Sequence, residues 1–304
     1  VRTNLRARLF VHAAARRRLD LLNDLSEAQS GLIRLNEKRV AARSIAWGEL
    51  PPLHTQQANT FLERLDALQI VMQSRPELAN AIGVPVSELV RVEVTYDFSS
   101  IGADGLTQAG LRRQALRNRS DIRAALAGFN DAETALRREM VRRFPEAAVE
   151  SGLLWDQQTA MWIVQHKAEG PPQSGNHPQI VQAEENRTKS TERLIGLQTR
   201  IIDDIDRRLV ATLAASRHVQ HAEARLERER RLHHASEENS EKDATNRHAA
   251  LSARLRLAQA ALDHFEAVVT LHETLMALED TLQESVITTN RLLSRQAKPA
   301  QATR

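Results

Sequence analysis

Four histidines, His218, His221, His233 and His234, are the side chains in this sequence that could together bind a metal ion. His218 and His221 lie three residues apart, a spacing that places both on one face of a helix. The surrounding stretch is rich in arginine, and no carboxylate completes the HExxH pattern of zinc proteins. We therefore interpret these histidines as solvated helix residues and predict no metal site.

Other catalytic chemistry has no candidate residues. The sequence has no cysteine, which excludes disulfides, thiolate metal sites and cysteine nucleophiles. No serine, histidine and carboxylate stand in a recognisable nucleophilic pattern, and no P-loop or dinucleotide-binding glycine motif occurs. We predict a protein that is not an enzyme and needs no cofactor.

The composition points to long helices. The chain has 304 residues, of which 3% are aromatic and 11 are glycine. Lys and Arg number 42 against 39 Asp and Glu, and the two signs are interspersed, which argues against a nucleic-acid partner. No apolar run reaches the roughly 18 residues that a membrane-spanning helix needs.

The first predicted element is a long helical hairpin over residues 1–82. Leucines recur at helical spacing, and Gly48, Pro51 and Pro52 break the pattern at a turn. A linker over residues 83–105 follows, in which alternating apolar residues predict a short strand or an extended segment. These residues are Val90, Val92, Val94 and Tyr96.

The middle of the chain predicts helices over residues 106–144, with Ser120 as a cap and Asp121 in the first turn. A β-hairpin over residues 145–167 and a loop over residues 168–178 follow. Trp155 and Trp162 lie in the hairpin. From their pattern alone, they are equally compatible with the interfacial belt of a membrane protein and with anchors of a small soluble core.

A second long helical hairpin is predicted over residues 179–293, with a polar turn over residues 236–246 and a disordered tail over residues 294–304. Two long hairpins separated by a shorter linker suggest an internally duplicated protein. Val1 stands inside a helical pattern without an initiator methionine. We therefore expect the natural start to lie upstream.

Several local strings resemble those of the TolC-type outer-membrane efflux family, of the metal-cation or drug efflux type, and they occur in the same order along essentially the whole chain. They are Ala-Ile-Gly-Val-Pro at 81–85, Asn-Arg-Ser-Asp-Ile-Arg-Ala-Ala at 118–125, Ala-Glu-Thr-Ala-Leu-Arg-Arg-Glu at 132–139, Phe-Pro at 144–145, Trp-Asp-Gln at 155–157 and Trp162.

The resemblance implies a mainly α-helical fold of long, coiled-coil-like antiparallel hairpins, in which one β-hairpin contributes to an outer-membrane β-barrel shared by a homotrimer. Trp155 and Trp162 would then contact outer-membrane lipid at its interface. The helices would form a periplasmic tunnel that meets a periplasmic adaptor and an inner-membrane pump. The implied adaptor-facing turns contain Arg43, Ser44, Trp47, Lys242, Asp243 and Asn246.

Asp203, Asp204 and Asp206 cluster on one predicted helix, and two interpretations remain open. In the tunnel that the resemblance implies, they could line the lumen and favour cations. The alternative is a solvated helix face with intrahelical ion pairs, which ordinary helix geometry favours. The arginines available for such pairs are Arg200, Arg207 and Arg208.

We therefore predict an outer-membrane duct that passively conducts solutes delivered by a pump and an adaptor. The alternative is a soluble coiled-coil scaffold or adaptor with no role at a membrane, in which the hairpin at residues 145–167 would be a surface loop. A periplasmic adaptor subunit is a weaker third hypothesis, because the lipoyl-like and barrel strands of such a subunit are not found in the sequence. The sequence does not identify the transported solute.

Overall fold

The computed structural model describes residues 2–89, 92, 94–98, 105–143, 149–156, 159–166, 177–239 and 244–283. Long helices dominate this part of the chain, and two β-strands interrupt them. The elements are α1 (Arg2–Ala41), a 3-10 helix (Trp47–Glu49), α2 (Leu50–Ile82), α3 (Val86–Leu89), α4 (Gln108–Asn118), α5 (Ser120–Arg143), β1 (Val149–Asp156), β2 (Thr159–His166), α6 (His177–Asn239) and α7 (Ala244–Leu282).

The chain divides into two compact units. The first unit contains residues 1–105 and 210–278, and the second contains residues 106–209 and 279–304. The long helices α6 and α7 each contribute residues to both units. The predicted disordered tail, residues 294–304, lies outside the described residues.

In the first unit, α1 and α2 form an antiparallel pair whose contact surface is partly polar. His12 Nδ1 lies 2.9 Å from Ser74 Oγ, and Gln29 Nε2 donates a hydrogen bond of 2.9 Å to Thr60 Oγ1. All four side chains are buried. Because a buried polar group that loses its partner costs about 1 to 3 kcal/mol, these two hydrogen bonds favour a single alignment of the helices.

The C-terminus of α1 closes in a Schellman motif. The backbone N–H of Ser44 donates to the carbonyl of Arg39 at 2.8 Å, and that of Arg43 donates to the carbonyl of Val40 at 2.9 Å. Arg43 adopts the left-handed conformation with φ of +56°, a position where glycine is usual. The polar turn predicted after the first helix therefore has a defined backbone conformation.

The next helix, α2, begins earlier than the sequence suggested. The sequence placed Pro51 and Pro52 in the turn before this helix, but the helix begins at Leu50 and includes both prolines in its first turn. Proline is tolerated there because the first N–H groups of a helix have no intrahelical acceptor. The helix ends at Ile82, and Gly83 follows as its C-cap with φ of +85°.

A buried apolar cluster joins α1 to α7 in the first unit. Arg18 Nε lies 3.1 Å from Glu266 Oε1 beside this cluster, and Arg254 pairs with Glu27 at 2.8 Å. The largest buried members of the cluster are Phe10, Leu21, Leu22, Leu25, Leu262 and Phe265. This cluster is the main core of the unit.

The linker after α2 forms an extended segment over residues 94–98 rather than a strand. Tyr96 and Phe98 pack against the core, with ring centroids 5.4 Å and 6.0 Å from that of Phe10. Val94 packs on a smaller cluster that includes Leu78. Val94 and Tyr96 thus contact helices, whereas Val92 is 57% exposed. Val90 lies outside the described residues.

A second antiparallel pair is formed by α6 and α7 in the first unit. Arg225 Nη1 lies 2.6 Å from Asp263 Oδ2, and Arg256 Nε lies 3.2 Å from Glu229 Oε2. The contacts of the first unit therefore run in the order α2, α1, α7, α6. The prediction of a mainly α-helical protein with long antiparallel helix pairs is confirmed.

In the second unit, the start of α5 contacts the end of α7. Arg119 donates to the carbonyl of Thr281 and pairs with Asp121, with 2.7 Å between Nη2 and Oδ2. The prediction that Ser120 caps α5 needs correction, because Ser120 is already the first helical residue. Its N–H and Oγ both lie near Gln283 Oε1, at 3.1 and 3.2 Å. The side chain of Gln283, which follows the end of α7, thus takes the place of a local cap.

A small apolar cluster packs α5 against α6 in the second unit. Leu136, Ile180 and Ala183 are its buried members. Glu133 lies next to it, 3.1 Å from Arg137 and 3.9 Å from Arg187, so its carboxylate is buried beside two cations. This arrangement fixes the two helices that flank the strand pair in the sequence.

We predict that acidification destabilises the first unit through His12. Burial, followed by the positive charges of Arg75 and Arg16, lowers the pKa of this histidine below its ordinary value of 6.5. The unfolded state therefore binds the proton more readily. The stabilisation is fully present above about pH 6.5 and is lost as the pH falls through that value towards the folded-state pKa.

Urea unfolding at about pH 7.5 and about pH 5.5 checks this prediction. The wild-type chain should lose unfolding free energy at the lower pH, and His12→Gln should lose less, because glutamine does not titrate. Some loss should remain in the variant, since burial and the nearby Arg39 also lower the pKa of His248. An identical pH dependence in both chains would contradict the assignment to His12.

Candidate functional site

The strand pair between α5 and α6 contains two of the residues singled out in the sequence. The strands β1 and β2 are antiparallel and form a two-stranded sheet. In its register, Leu153 is opposite Trp162 and Trp155 is opposite Ala160. Directly opposed positions share a face of an antiparallel pair, and so do positions two apart. Positions 155 and 162 therefore fall on the same face of the ribbon.

An isolated two-stranded ribbon leaves half of its backbone groups without a partner strand. Among the described residues each strand has one neighbour, so the N–H and C=O groups along both outer edges point away from the sheet. Two-stranded hairpins are marginally stable in water unless further strands or a packing surface join them. The ribbon thus has the properties of a segment that pairs with other strands.

The turn between α1 and α2 contains an aromatic residue that is exposed to solvent. Trp47 opens the 3-10 helix before α2 and is 70% exposed. Arg43 and Ser44 are also exposed. Ser44 Oγ donates to the carbonyl of Arg39 at 2.8 Å, so the side chain supports the turn itself. The side chains of Arg43, Ser44 and Trp47 are thus all exposed at this turn.

The second turn is only partly within the described residues. Lys242 and Asp243 lie outside them. Asn246 lies in the first turn of α7, because that helix begins at Ala244. The turn predicted from residue 236 also starts later, since α6 continues to Asn239. Polar residues that favour a turn in isolation remain helical here.

The three aspartates of α6 have different surroundings. Asp206 pairs with Arg112 of α4, with 3.1 Å between Oδ1 and Nε, and this hydrogen bond lowers the pKa of the aspartate. Asp204 forms an intrahelical pair with Arg207. Asp203 is exposed. Two of the three carboxylates thus contact cations directly, and Asp203 is the exposed one of the three.

Arg112 is the ion-pair partner of Asp206 that the sequence did not indicate. It pairs with a residue 94 positions away along the chain. Neither helical periodicity nor local charge pattern relates two residues at that separation. An ion pair of this kind becomes visible only once the packing of α4 against α6 is known.

The four histidines do not come together in a metal site. Among the described residues, no group of three or more histidines and carboxylates could hold a metal ion. His233 lies 3.4 Å from Glu237, and His234 lies 3.3 Å from Glu238. His218 and His221 are exposed on α6.

Within the described part of the chain, no helix combines the length and the hydrophobicity needed to cross a bilayer.

Comparison with known proteins gives matches among solved structures. A membrane protein from Pseudomonas aeruginosa is 14% identical, with a TM-score of 0.61 over 92% of this chain and 66% of that chain. The outer membrane protein VceC from Vibrio cholerae is 15% identical, with a TM-score of 0.59 over 93% of this chain and 69% of that one. The CmeC outer membrane channel of Campylobacter jejuni is 13% identical, with a TM-score of 0.58 over 97% and 66%.

These matches confirm the resemblance to the TolC-type outer-membrane efflux proteins at the level of the fold. The chain spans about two thirds of the length of the structures that it matches. No protein-family model matches the sequence, and neither does any curated protein. At these identities the comparison establishes the fold alone.

Proposed function

We propose that this chain is part of an outer-membrane duct through which an efflux system exports solutes. The observation that carries the proposal is the fold match to an outer membrane protein and an outer membrane channel, each over more than nine tenths of this chain. The duct does no chemical work itself. Solutes cross a water-filled passage passively, and an energised inner-membrane pump drives their transport.

The helical pairs suit the wall of such a passage. Each long helix satisfies its backbone hydrogen bonds internally, so its side chains are free to pack on one side and to face water on another. The α1–α2 and α6–α7 pairs are rich in exposed charged residues. A wall built from them is wettable on both surfaces.

The strand pair supports insertion of the duct into the outer membrane. A strand in lipid must have all its backbone groups paired, which requires a closed barrel. Two strands from one copy cannot close a barrel, so several copies must contribute their ribbons. We propose that three copies do so, and that Trp155 and Trp162 lie at the lipid interface, where tryptophan is enriched.

The helical turns supply the surface for the partner proteins. Arg43, Ser44 and Trp47 are exposed at the first turn, and we assign Lys242, Asp243 and Asn246 to the second. A periplasmic adaptor would contact these turns and connect the duct to the pump. In the passage, Asp203 is the carboxylate we assign to the lumen, since Asp204 and Asp206 already form ion pairs.

Cell fractionation combined with an export assay tests the proposed function. The intact gene is expressed in a Gram-negative host that lacks its own efflux channel, together with an adaptor and a pump. We expect the product in the carbonate-resistant outer-membrane fraction and an at least tenfold rise in solute export. The same cells with an inactive pump should show no rise.

Recovery of the whole product in the carbonate-soluble fraction would instead support the alternative, a soluble coiled-coil scaffold. Solute export that persists without an active pump would contradict the proposal that the pump drives transport through a passive duct.

A further inference from the structure

We infer that a groove between α5 and α6 binds a small organic dianion, with one carboxylate held at each end and an apolar chain between them. The groove lies within the second unit and has a volume of about 480 Å³, which falls in the range of small-molecule sites. The inference does not depend on the proposed function, because it concerns contacts within this unit alone. The lining residues are Asp121, Ala124, Ala125 and Gly128 of α5 and Ser190, Arg193, Leu197 and Arg200 of α6.

The middle of the groove is apolar and open. Ile122 and Phe129 are buried on the packed face of α5, whereas Ala124 and Gly128 beside them are exposed. A Cβ atom at Gly128 would meet no atom of another element within 4 Å. On α6, Leu197 is half-buried and forms the apolar floor. An alkyl chain therefore has both room and an apolar surface here.

Two arginines stand at the two ends of the groove. Arg193 and Arg200 are seven residues apart, so they project from the same side of α6, about 10 Å apart along the helix axis. Both are exposed, and neither takes part in an ion pair within the described part of the chain. Ser190 lies one turn before Arg193 and adds a hydroxyl group at that end.

The carboxylate that lines the groove is already paired. Asp121 Oδ2 lies 2.7 Å from Nη2 of Arg119, and Oδ1 lies 3.0 Å from its Nε. The backbone N–H of Ile122 also donates to Oδ1 at 2.9 Å. The hydrogen bond from Arg119 is the main cause that lowers the pKa of Asp121. Because Arg119 offsets this negative charge, the charges left for a ligand are those of Arg193 and Arg200.

The two arginines differ in their local charge. Arg193 has no acidic residue three or four positions away along the helix. Arg200 is followed at these positions by Asp203 and Asp204, although neither lines the groove and Asp204 pairs with Arg207. Nearby carboxylates weaken the attraction of an anion. Arg193 is therefore the stronger of the two attachment points.

The pattern of polar ends and an apolar middle selects the class of ligand. A guanidinium and a carboxylate form paired, charge-assisted hydrogen bonds, so each arginine suits one end of a dicarboxylate. Octanedioate has an extended length close to the spacing of the two arginines. Two other grooves along α6 contain several glutamates and do not suit an anion: Glu184, Glu185, Glu192, Glu223 and Glu227.

Isothermal titration calorimetry with octanedioate tests the inference. The protein is produced from the intact gene and purified in a nonionic detergent, and the titration is made at two temperatures. One octanedioate should bind per chain. Octanoate and butanedioate should each bind at least about tenfold more weakly, because neither can engage both arginines across the apolar floor.

Four variants locate the binding site. Gly128→Leu should abolish binding, because its side chain fills the groove, whereas Ala127→Leu, at an exposed position outside the lining, should bind like the wild type. Arg193→Gln should lower the affinity at least about tenfold, and Arg200→Gln should lower it less. Far-UV circular dichroism verifies that each variant is folded.

The absence of a binding signal at both temperatures would overturn the inference. Equal affinities for octanedioate and octanoate, or unchanged binding in folded Gly128→Leu, would overturn it as well. Export measured with the same gene separates this site from the proposed function. A protein that exports solutes without binding octanedioate removes the site and leaves the duct, and one that binds octanedioate without any export keeps the site and contradicts the duct.

Discussion

Replacing residues 149–166 with a short Gly-Ser linker is expected to remove the chain from the outer membrane and to abolish export above the background. The ribbon of β1 and β2 is the part of the described chain whose backbone edges need further strands. Without it, the copies have nothing from which to close a barrel. The helical units should remain folded, because the contacts described for them do not involve the ribbon.

Carbonate extraction, export measurements and far-UV circular dichroism check this expectation together. A matched control carries the same linker between Asp156 and Thr159, so that both strands are kept. Insertions at hairpin tips are generally well tolerated, and this control should retain outer-membrane location and export. Equal losses in both variants, or unchanged export after removal of the strands, would show that the ribbon has no membrane role.

Phe10→Ala is expected to destabilise the first unit by about 3 to 5 kcal/mol, the usual cost of removing a buried aromatic ring. Phe10 is 1% exposed, and its ring centroid lies within contact range of those of Tyr96, Phe98 and His272. The substitution leaves a cavity at the point where α1, α7 and the extended linker meet. Loss of this residue should therefore loosen the linker as well as the helices.

Chemical unfolding of Phe10→Ala and of the neighbouring Val11→Ala measures the effect. Val11 is 42% exposed, so its truncation should change the unfolding free energy by less than about 0.5 kcal/mol. Hydrogen exchange should increase over residues 94–98 in the Phe10 variant alone. Similar destabilisation by both substitutions would contradict the central place given to Phe10 in the core.

Local pattern predicted the helices well because it follows from their geometry. Leu22 and Leu25 recur at helical spacing, and both are buried in the core. Gly83 ends α2 because a left-handed residue is needed there. Predictions that depended on a single residue were weaker. Ser120 became the first residue of its helix because Gln283, distant in sequence, occupies the place of the cap.

Less of the candidate site could be predicted from the sequence. The trio of aspartates was visible, but the pairing of Asp206 with Arg112 depends on helices far apart in the chain. In the sequence, the segment from Phe61 to Met72 of α2 has the pattern of an ordinary amphipathic helix. Only the structure distinguishes the side of α2 that contacts α1 from the side left in water, because periodicity does not identify the neighbour of each face.

The buried hydrogen bonds between α1 and α2 limit how the first turn can rearrange. A slide by one helical turn, about 5.4 Å, would separate His12 from Ser74 and Gln29 from Thr60. All four buried groups would then lose these hydrogen bonds. Bending or rotation of the joined helices keeps both bonds. Any displacement of the turn at residues 43–50 must therefore move α1 and α2 together. A force applied at Trp47 is then transmitted along both helices, because they do not slide past each other.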